Sequence, residues 1–244
     1  MKLIMTDNYE QLSKMAALYL MRILAQGFDR RVNVSITGGA TPVGAYHYAS
    51  QLLQGLHLPN VHYYNFDEIP LKNREGATLA SLRELFFEPC GIAQEQIEVF
   101  DADNYQTYDQ KLQDDGGLDF IMMGLGADGH FCGNIAGSFD DFAVGCHTVD
   151  SYLNEWLAGL MEEACNGKEN IPDWFVTFGP KTVMSAKELL LIVSGQKKAE
   201  ILQKALEGPI TPAVPASILR LHPKLTVIAD REAASGLKED RAYG

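Results

Sequence analysis

The chain has 244 residues, 46% hydrophobic and 21% charged, a balance that excludes a disordered or fibrous protein and fits one globular domain over residues 1–244. A net charge of -12 argues against binding nucleic acid or anionic membrane, so any phosphate must be met by a local cluster of donors. Cys90, Cys132, Cys146 and Cys165 form no C-x-x-C pair, the opening MKLIMTDNYE turns acidic before a signal-length apolar stretch forms, and no run reaches membrane-spanning length; neither a metal site nor a membrane is expected, and the expected location is the cytoplasm.

In chain order, Asp7 or Asn8 caps a helix whose Leu12, Met15, Ala16, Tyr19, Ile23 and Leu24 recur mostly at steps of three and four, ending near Gly27. Val32–Ile36 alternates and is rich in β-branched residues, as a strand requires. Thr37-Gly38-Gly39-Ala40-Thr41-Pro42 follows, and threonine at a cap with proline in the first turn marks a helix start, here running through Tyr46 and Leu53. Glycines let backbone N–H groups converge on an anion at a helix N-terminus, which makes this loop a candidate phosphate cradle. It lacks the G-K-[ST] ending of a Walker loop, and a plain strand-to-helix turn is the alternative.

A strand over residues 61–66 ends in Asn65-Phe66-Asp67-Glu68. Two adjacent carboxylates at a strand's carboxyl end can include a general base, or be solvated caps. A helix over 78–88 turns Leu82, Leu85 and Phe86 inward, 97–100 is a short strand, and 105–113 is a polar helix.

Residues 118–123 are an apolar run of strand length, broken at Gly124, Gly126 and Gly129, with Asp128 and His130 on the following loop. Ligands bind at the carboxyl ends of strands in open α/β sheets, so His130 is a candidate proton shuttle whose tautomer Asp128 sets; a surface turn is the alternative. The three glycines match G-x-G-x-x-G, but they do not follow the first strand of the domain and His-Phe-Cys-Gly-Asn is a poor helix start, so no dinucleotide is expected.

Residues 144–149 read as a strand and 152–165 as an amphipathic helix stopped at Asn166-Gly167, with no lysine or arginine anywhere from 131 to 167. A strand over 174–178 leads into a short helix through Met184, and Leu189–Val193 is a central strand buried on both faces. Lys197 and Lys198 then fall in the first turn of a helix to Leu206, where they oppose the helix dipole unless an anion is bound. A strand over 225–229 and a polar tail close the chain. Strands alternating with helices predict an α/β fold with a mostly parallel sheet covered on both faces.

Five segments in this order and spacing, TGG-x-TP, NFDE, GLGADGH, SGQKKA and SILRLHP, resemble the glucosamine-6-phosphate deaminase/isomerase family and its relatives, the 6-phosphogluconolactonases. The resemblance implies a Rossmann-like three-layer α/β/α sandwich that acts on a sugar 6-phosphate without a cofactor. It implies that Thr37, Gly38, Gly39, Ala40, Thr41 and Lys198 hold the phosphate. Asp67 matches the base that moves a proton between C1 and C2, and His130, partnered by Asp128, matches the acid/base that opens the ring. Two positions depart from the family: Ile135 stands where the relay glutamate belongs, and the phosphate-clamping arginine has no counterpart in the middle segment, leaving Arg220 or Lys181 as substitutes. The expected function is a hexosamine or hexose 6-phosphate isomerase/deaminase, with a sugar-lactone hydrolase or a non-catalytic sugar-phosphate sensor as alternatives. The oligomeric state, monomer or homo-oligomer, is left open.

Overall fold

Residues 1–238 are described in the computed structural model of the chain. The central sheet has seven strands, all parallel, in the order β1 (Lys2–Thr6), β10 (Leu225–Asp230), β9 (Leu189–Val193), β6 (Phe120–Gly124), β2 (Val32–Ile36), β3 (Val61–Asn65) and β5 (Ile97–Glu98). Alternating side chains feed two cores. In β9, Leu189, Leu191 and Val193 face one core and Leu190 and Ile192 the other, which is why five consecutive aliphatics suit a strand covered on both sides.

One core is closed by α1 (Tyr9–Leu24), α2 (Val43–Leu53) and α3 (Ala77–Leu82), through residues such as Leu20, Tyr46 and Leu82. The other is closed by α4 (Tyr105–Asp114), α6 (Pro180–Met184), α7 (Ala199–Glu207) and α8 (Arg231–Ala234), through Tyr108, Val183, Leu202 and Ala233. The result is the expected three-layer α/β/α sandwich. A second, antiparallel sheet of three strands, β4 (Asp67–Glu68), β8 (Trp174–Thr177) and β7 (His147–Asp150), carries α5 (Glu155–Cys165) on a small core of its own that includes Ile69, Ile135, Leu157 and Phe175.

Several expectations shift. The opening segment forms edge strand β1, which pairs only with β10 and leaves Met5 66% exposed, so no fully buried run announces it. The helix over 78–88 divides into α3 and a π-helical turn, Arg83–Phe87. The strand over 174–178 joins the small sheet rather than the main one, and the strand over 144–149 begins only at His147. Pro42, not Thr41, is the cap residue of α2, and Lys198 caps α7 after a 3-10 turn instead of lying within it. The polar tail starts as α8, and its remainder from residue 239 lies outside the described residues. No helix among the described residues is long and apolar enough to cross a membrane.

Candidate active site

After β2 the chain adds β3 and β5 on one side, then returns to lay β6, β9 and β10 on the other, so the direction of winding reverses between β2 and β6. That is the place in a parallel sheet where loops part to leave a crevice. A cavity of about 760 Å³ opens there. Thr37, Gly38, Gly39, Ala40, Thr41, Asp67, His130 and Lys198 all line it; Asp128 stands behind His130. Residues far apart in the chain are thus brought to one rim by the carboxyl ends of neighbouring strands.

Tyrosine hydroxyls hold carbonyls of the loop after β2. The Tyr46 hydroxyl donates to the Thr37 carbonyl at 2.6 Å and accepts from the Thr37 N–H at 3.2 Å, while the Tyr9 hydroxyl reaches the carbonyls of Ala40 and Thr41 at 3.3 and 3.1 Å. Gly39 has φ +88, a conformation that side-chain-bearing residues rarely adopt, and a Cβ there would meet nothing within 4 Å. The backbone N–H groups of residues 38–41 donate to no acceptor among the described residues. With the N-terminus of α2 behind them they form a cradle suited to an anion. Lys198, partly buried, donates to the Leu125 carbonyl at 2.7 Å, and burial lowers its pKa against the pull of the Asp128 charge.

The glycine-rich loop after β6 folds the histidine back on itself. The Gly126 N–H donates to the His130 carbonyl at 2.8 Å, and a Cβ on Gly126 would lie 2.0 Å from His130 Nδ1, so only glycine lets the imidazole settle there. Gly129, at φ +91, makes the turn and its carbonyl accepts the Ala216 N–H at 2.8 Å, which gives the segment around residues 215–221 a supporting role. No helix follows the loop, so the G-x-G-x-x-G pattern is a histidine turn and not a dinucleotide fingerprint. Asp128 Oδ1 lies 2.6 Å from His130 Nδ1. Burial pushes the Asp128 carboxyl up, but the hydrogen bond and charge of His130 outweigh it and hold the pKa below the usual value. The pair fixes a proton on Nδ1 and leaves Nε2 to accept or return one.

The adjacent carboxylates separate cleanly. Asn65 pins the end of β3 by donating to the Phe100 carbonyl at 2.8 Å, the chain crosses to the small sheet, and strand alternation sends Asp67 and Glu68 to opposite sides. Glu68 is 2% exposed and accepts from the N–H groups of Ile69, Thr78 and Leu79 at 3.0, 2.8 and 3.0 Å, tying the segment to the N-terminus of α3. Burial pushes its pKa up to about 8 against those donors. Asp67 faces the cavity, accepts from the Thr78 hydroxyl at 3.0 Å, and is pushed up to about 6 by burial, with Thr78 and the His130 charge pulling the other way.

Sequence reasoning missed Thr78, the two tyrosines behind the cradle, and the wall made by α5, whose Trp156, Leu160, Met161, Glu163 and Ala164 line the cavity. The periodicity of α5 was readable, but not which of its faces met a ligand. Trp156 lies with its ring centroid 5.6 Å from that of His130. Ile135 is 3% exposed in the core under α5, where it helps dock this wall. Neither Lys181 nor Arg220 lines the cavity, and Lys198 is the only lysine or arginine in the lining among the described residues. Among the described residues no group of three or more His, Cys, Asp and Glu side chains is placed to hold a metal ion.

A profile of the glucosamine-6-phosphate isomerases/6-phosphogluconolactonase family matches residues 7–228. The chain belongs to that family. Within it, a glucosamine-6-phosphate deaminase of Clostridium acetobutylicum is 30% identical over 97% of this chain and 100% of its own length. One of Shouchella clausii is 30% identical over 96% and 97%. A solved monomeric glucosamine-6-phosphate deaminase superposes with a TM-score of 0.86 at 29% identity, covering 97% of this chain and 100% of that one. The 6-phosphogluconolactonase of Trypanosoma cruzi shares the fold with a TM-score of 0.73 at 19% identity, over 97% of each chain.

Proposed function

We propose that the chain is a sugar-6-phosphate aldose-ketose isomerase/deaminase of the glucosamine-6-phosphate deaminase type, converting glucosamine 6-phosphate and water to fructose 6-phosphate and ammonia. The observation that carries this reading is that Asp67, with its raised pKa, and the His130–Asp128 pair share one cavity with the anion cradle. In it, the backbone of Thr37, Gly38, Gly39, Ala40 and Thr41 holds the phosphate, with Lys198 as counter-charge. His130 moves the proton that opens the pyranose ring, and Asp128 holds its tautomer. Asp67 takes the proton from C2 of the open sugar and returns it to C1. That shift turns the C2 amine into an imine, which water hydrolyses to a ketone with loss of ammonia. No cofactor enters, and the reading places the whole activity in one cytoplasmic domain of 244 residues.

The test is incubation with glucosamine 6-phosphate and assay of both products. Equal amounts of ammonia and fructose 6-phosphate are expected; neither product at any substrate concentration contradicts the reading. A second reading, a sugar-phosphate binder without turnover, is favoured by the apolar burial of Ile135 at the position the resemblance gives to the relay glutamate, and saturable binding of glucosamine 6-phosphate by calorimetry with no product in the assay supports it.

A further inference from the structure

The α5 wall is the part of the cavity that the proposed chemistry leaves unused. Trp156, Leu160 and Glu163 stand at i, i+4 and i+7, one stripe of the helix, and all three line the cavity. A different stripe, Leu157, Met161 and Cys165, docks the helix onto the small core. What the first stripe presents is therefore not dictated by docking. Trp156 and Leu160 are 40% and 38% exposed, and the exposed Glu163 carboxylate makes no hydrogen bond or ion pair among the described residues. Lys198, the one lysine of the lining among the described residues, is held beside Leu125 with the loops of the floor, Arg74 donates to the Cys165 carbonyl, and no described lysine or arginine forms an ion pair with Glu163.

We infer that Glu163 makes this wall a charge filter that favours a sugar phosphate bearing an ammonium away from its phosphate, admits a hydroxyl there, and disfavours a carboxylate. This rests on the sugar-phosphate reading above. A free carboxylate attracts a cationic substituent and repels an anionic one, and a like-charge contact discriminates against the wrong ligand even where it adds little affinity to the right one. The Trp156 ring gives the sugar a flat apolar surface on the same wall. With Asp67 on the floor and Glu163 on the wall, the site can accept a phosphate at its cradle yet resist a second anionic group.

Equilibrium binding of glucosamine 6-phosphate, glucose 6-phosphate and 6-phosphogluconate tests it in protein carrying Asp67→Asn throughout, so that the amine is not consumed and Glu163 is the carboxylate being varied. Trp156 emission supplies the signal in a Trp174→Phe protein, since these are the two tryptophans of the chain, and titration calorimetry of the protein with both tryptophans checks it. Kd is expected to rise from amine to hydroxyl to carboxylate by about fivefold at each step, the scale of an exposed ion pair. Glu163→Gln brings the amine and hydroxyl compounds to equal affinity, and Glu163→Lys reverses the order. An order that is the same in all three proteins overturns the inference, as does failure of all three sugars to bind while inorganic phosphate still does. Failure of all four ligands overturns both the filter and the function proposed above. An order that follows Glu163 without ammonia release by the unsubstituted protein leaves the filter standing and removes the catalytic reading; ammonia release by that protein with an order indifferent to Glu163 does the reverse.

Discussion

The floor of the cavity and its α5 wall are held in place by different forces. On the floor the groups given chemical roles have partners that fix their direction: Thr78 for Asp67, Asp128 for His130, Tyr9 and Tyr46 for the carbonyls of the cradle, the Leu125 carbonyl for Lys198. The wall is attached mostly by apolar packing, through Leu157, Met161 and Cys165, with one long hydrogen bond of 3.5 Å from Arg74 to the Cys165 carbonyl at its end, and its carboxylate over the cavity, Glu163, has no partner among the described residues. Proton transfer requires donor and acceptor placed to within a fraction of an ångström, and the floor, built on the ends of four buried strands, supplies that order. Recognition of a substituent tolerates looser placement, and the wall is suited to it.

The largest expected effect breaks the floor. Asp67→Asn keeps an acceptor for Thr78 but no base, so turnover should fall by about 10²–10⁴-fold in steady-state assays. In the unsubstituted protein the carboxylate must be ionised to act, so kcat/KM should fall as pH drops below about 6 and level off above it.

Gly126→Ala attacks the same region through space. The added methyl would lie 2.0 Å from His130 Nδ1 and must push the imidazole off its seat. Turnover should fall by about 10²-fold, with the His130 ring resonances shifted in NMR spectra and little change elsewhere.

Ile135→Glu asks whether the wall can take a charge from beneath. The new carboxylate would be buried among Ile69, Leu157 and Phe175 without a partner. Unfolding in urea should show a loss of about 3–5 kcal/mol, with no gain in turnover.

The smallest effect is a gain. The folded pKa of Asp67, about 6, lies above the ordinary aspartate value of 3.8, so the group's contribution to stability is full below that value and lost as pH rises through about 6. Asp67→Asn should therefore be more stable than the parent by about 1–3 kcal/mol at pH 8, and the gap should close on acidification towards pH 4.

The same contrast decides what could be read from the chain. Floor segments are local patterns: the aliphatic run of β9, the glycine pair after β2 and the Asp128-Gly129-His130 turn each carry their own explanation within a few residues. What is formed by distant contact was not legible. Nothing near Thr78 says that its hydroxyl meets Asp67, nothing near Tyr9 says that it ties the cradle 31 residues on, and strand β1 is half covered because it has one neighbour. Asp67 and Glu68 looked equivalent until strand alternation and the N-terminus of α3 gave them opposite environments. Composition cannot say which lysine or arginine faces a cavity, and neither Lys181 nor Arg220 lines this one.

The central claim, that Asp67 moves a proton on carbon, is tested most directly by NMR of glucosamine 6-phosphate incubated with the protein in deuterium oxide. Deuterium should enter the C1 methylene of the fructose 6-phosphate formed, and Asp67→Asn should show none. Deuterium incorporation that persists in Asp67→Asn, or conversion by Asp67→Asn at the rate of the unsubstituted protein, contradicts the account.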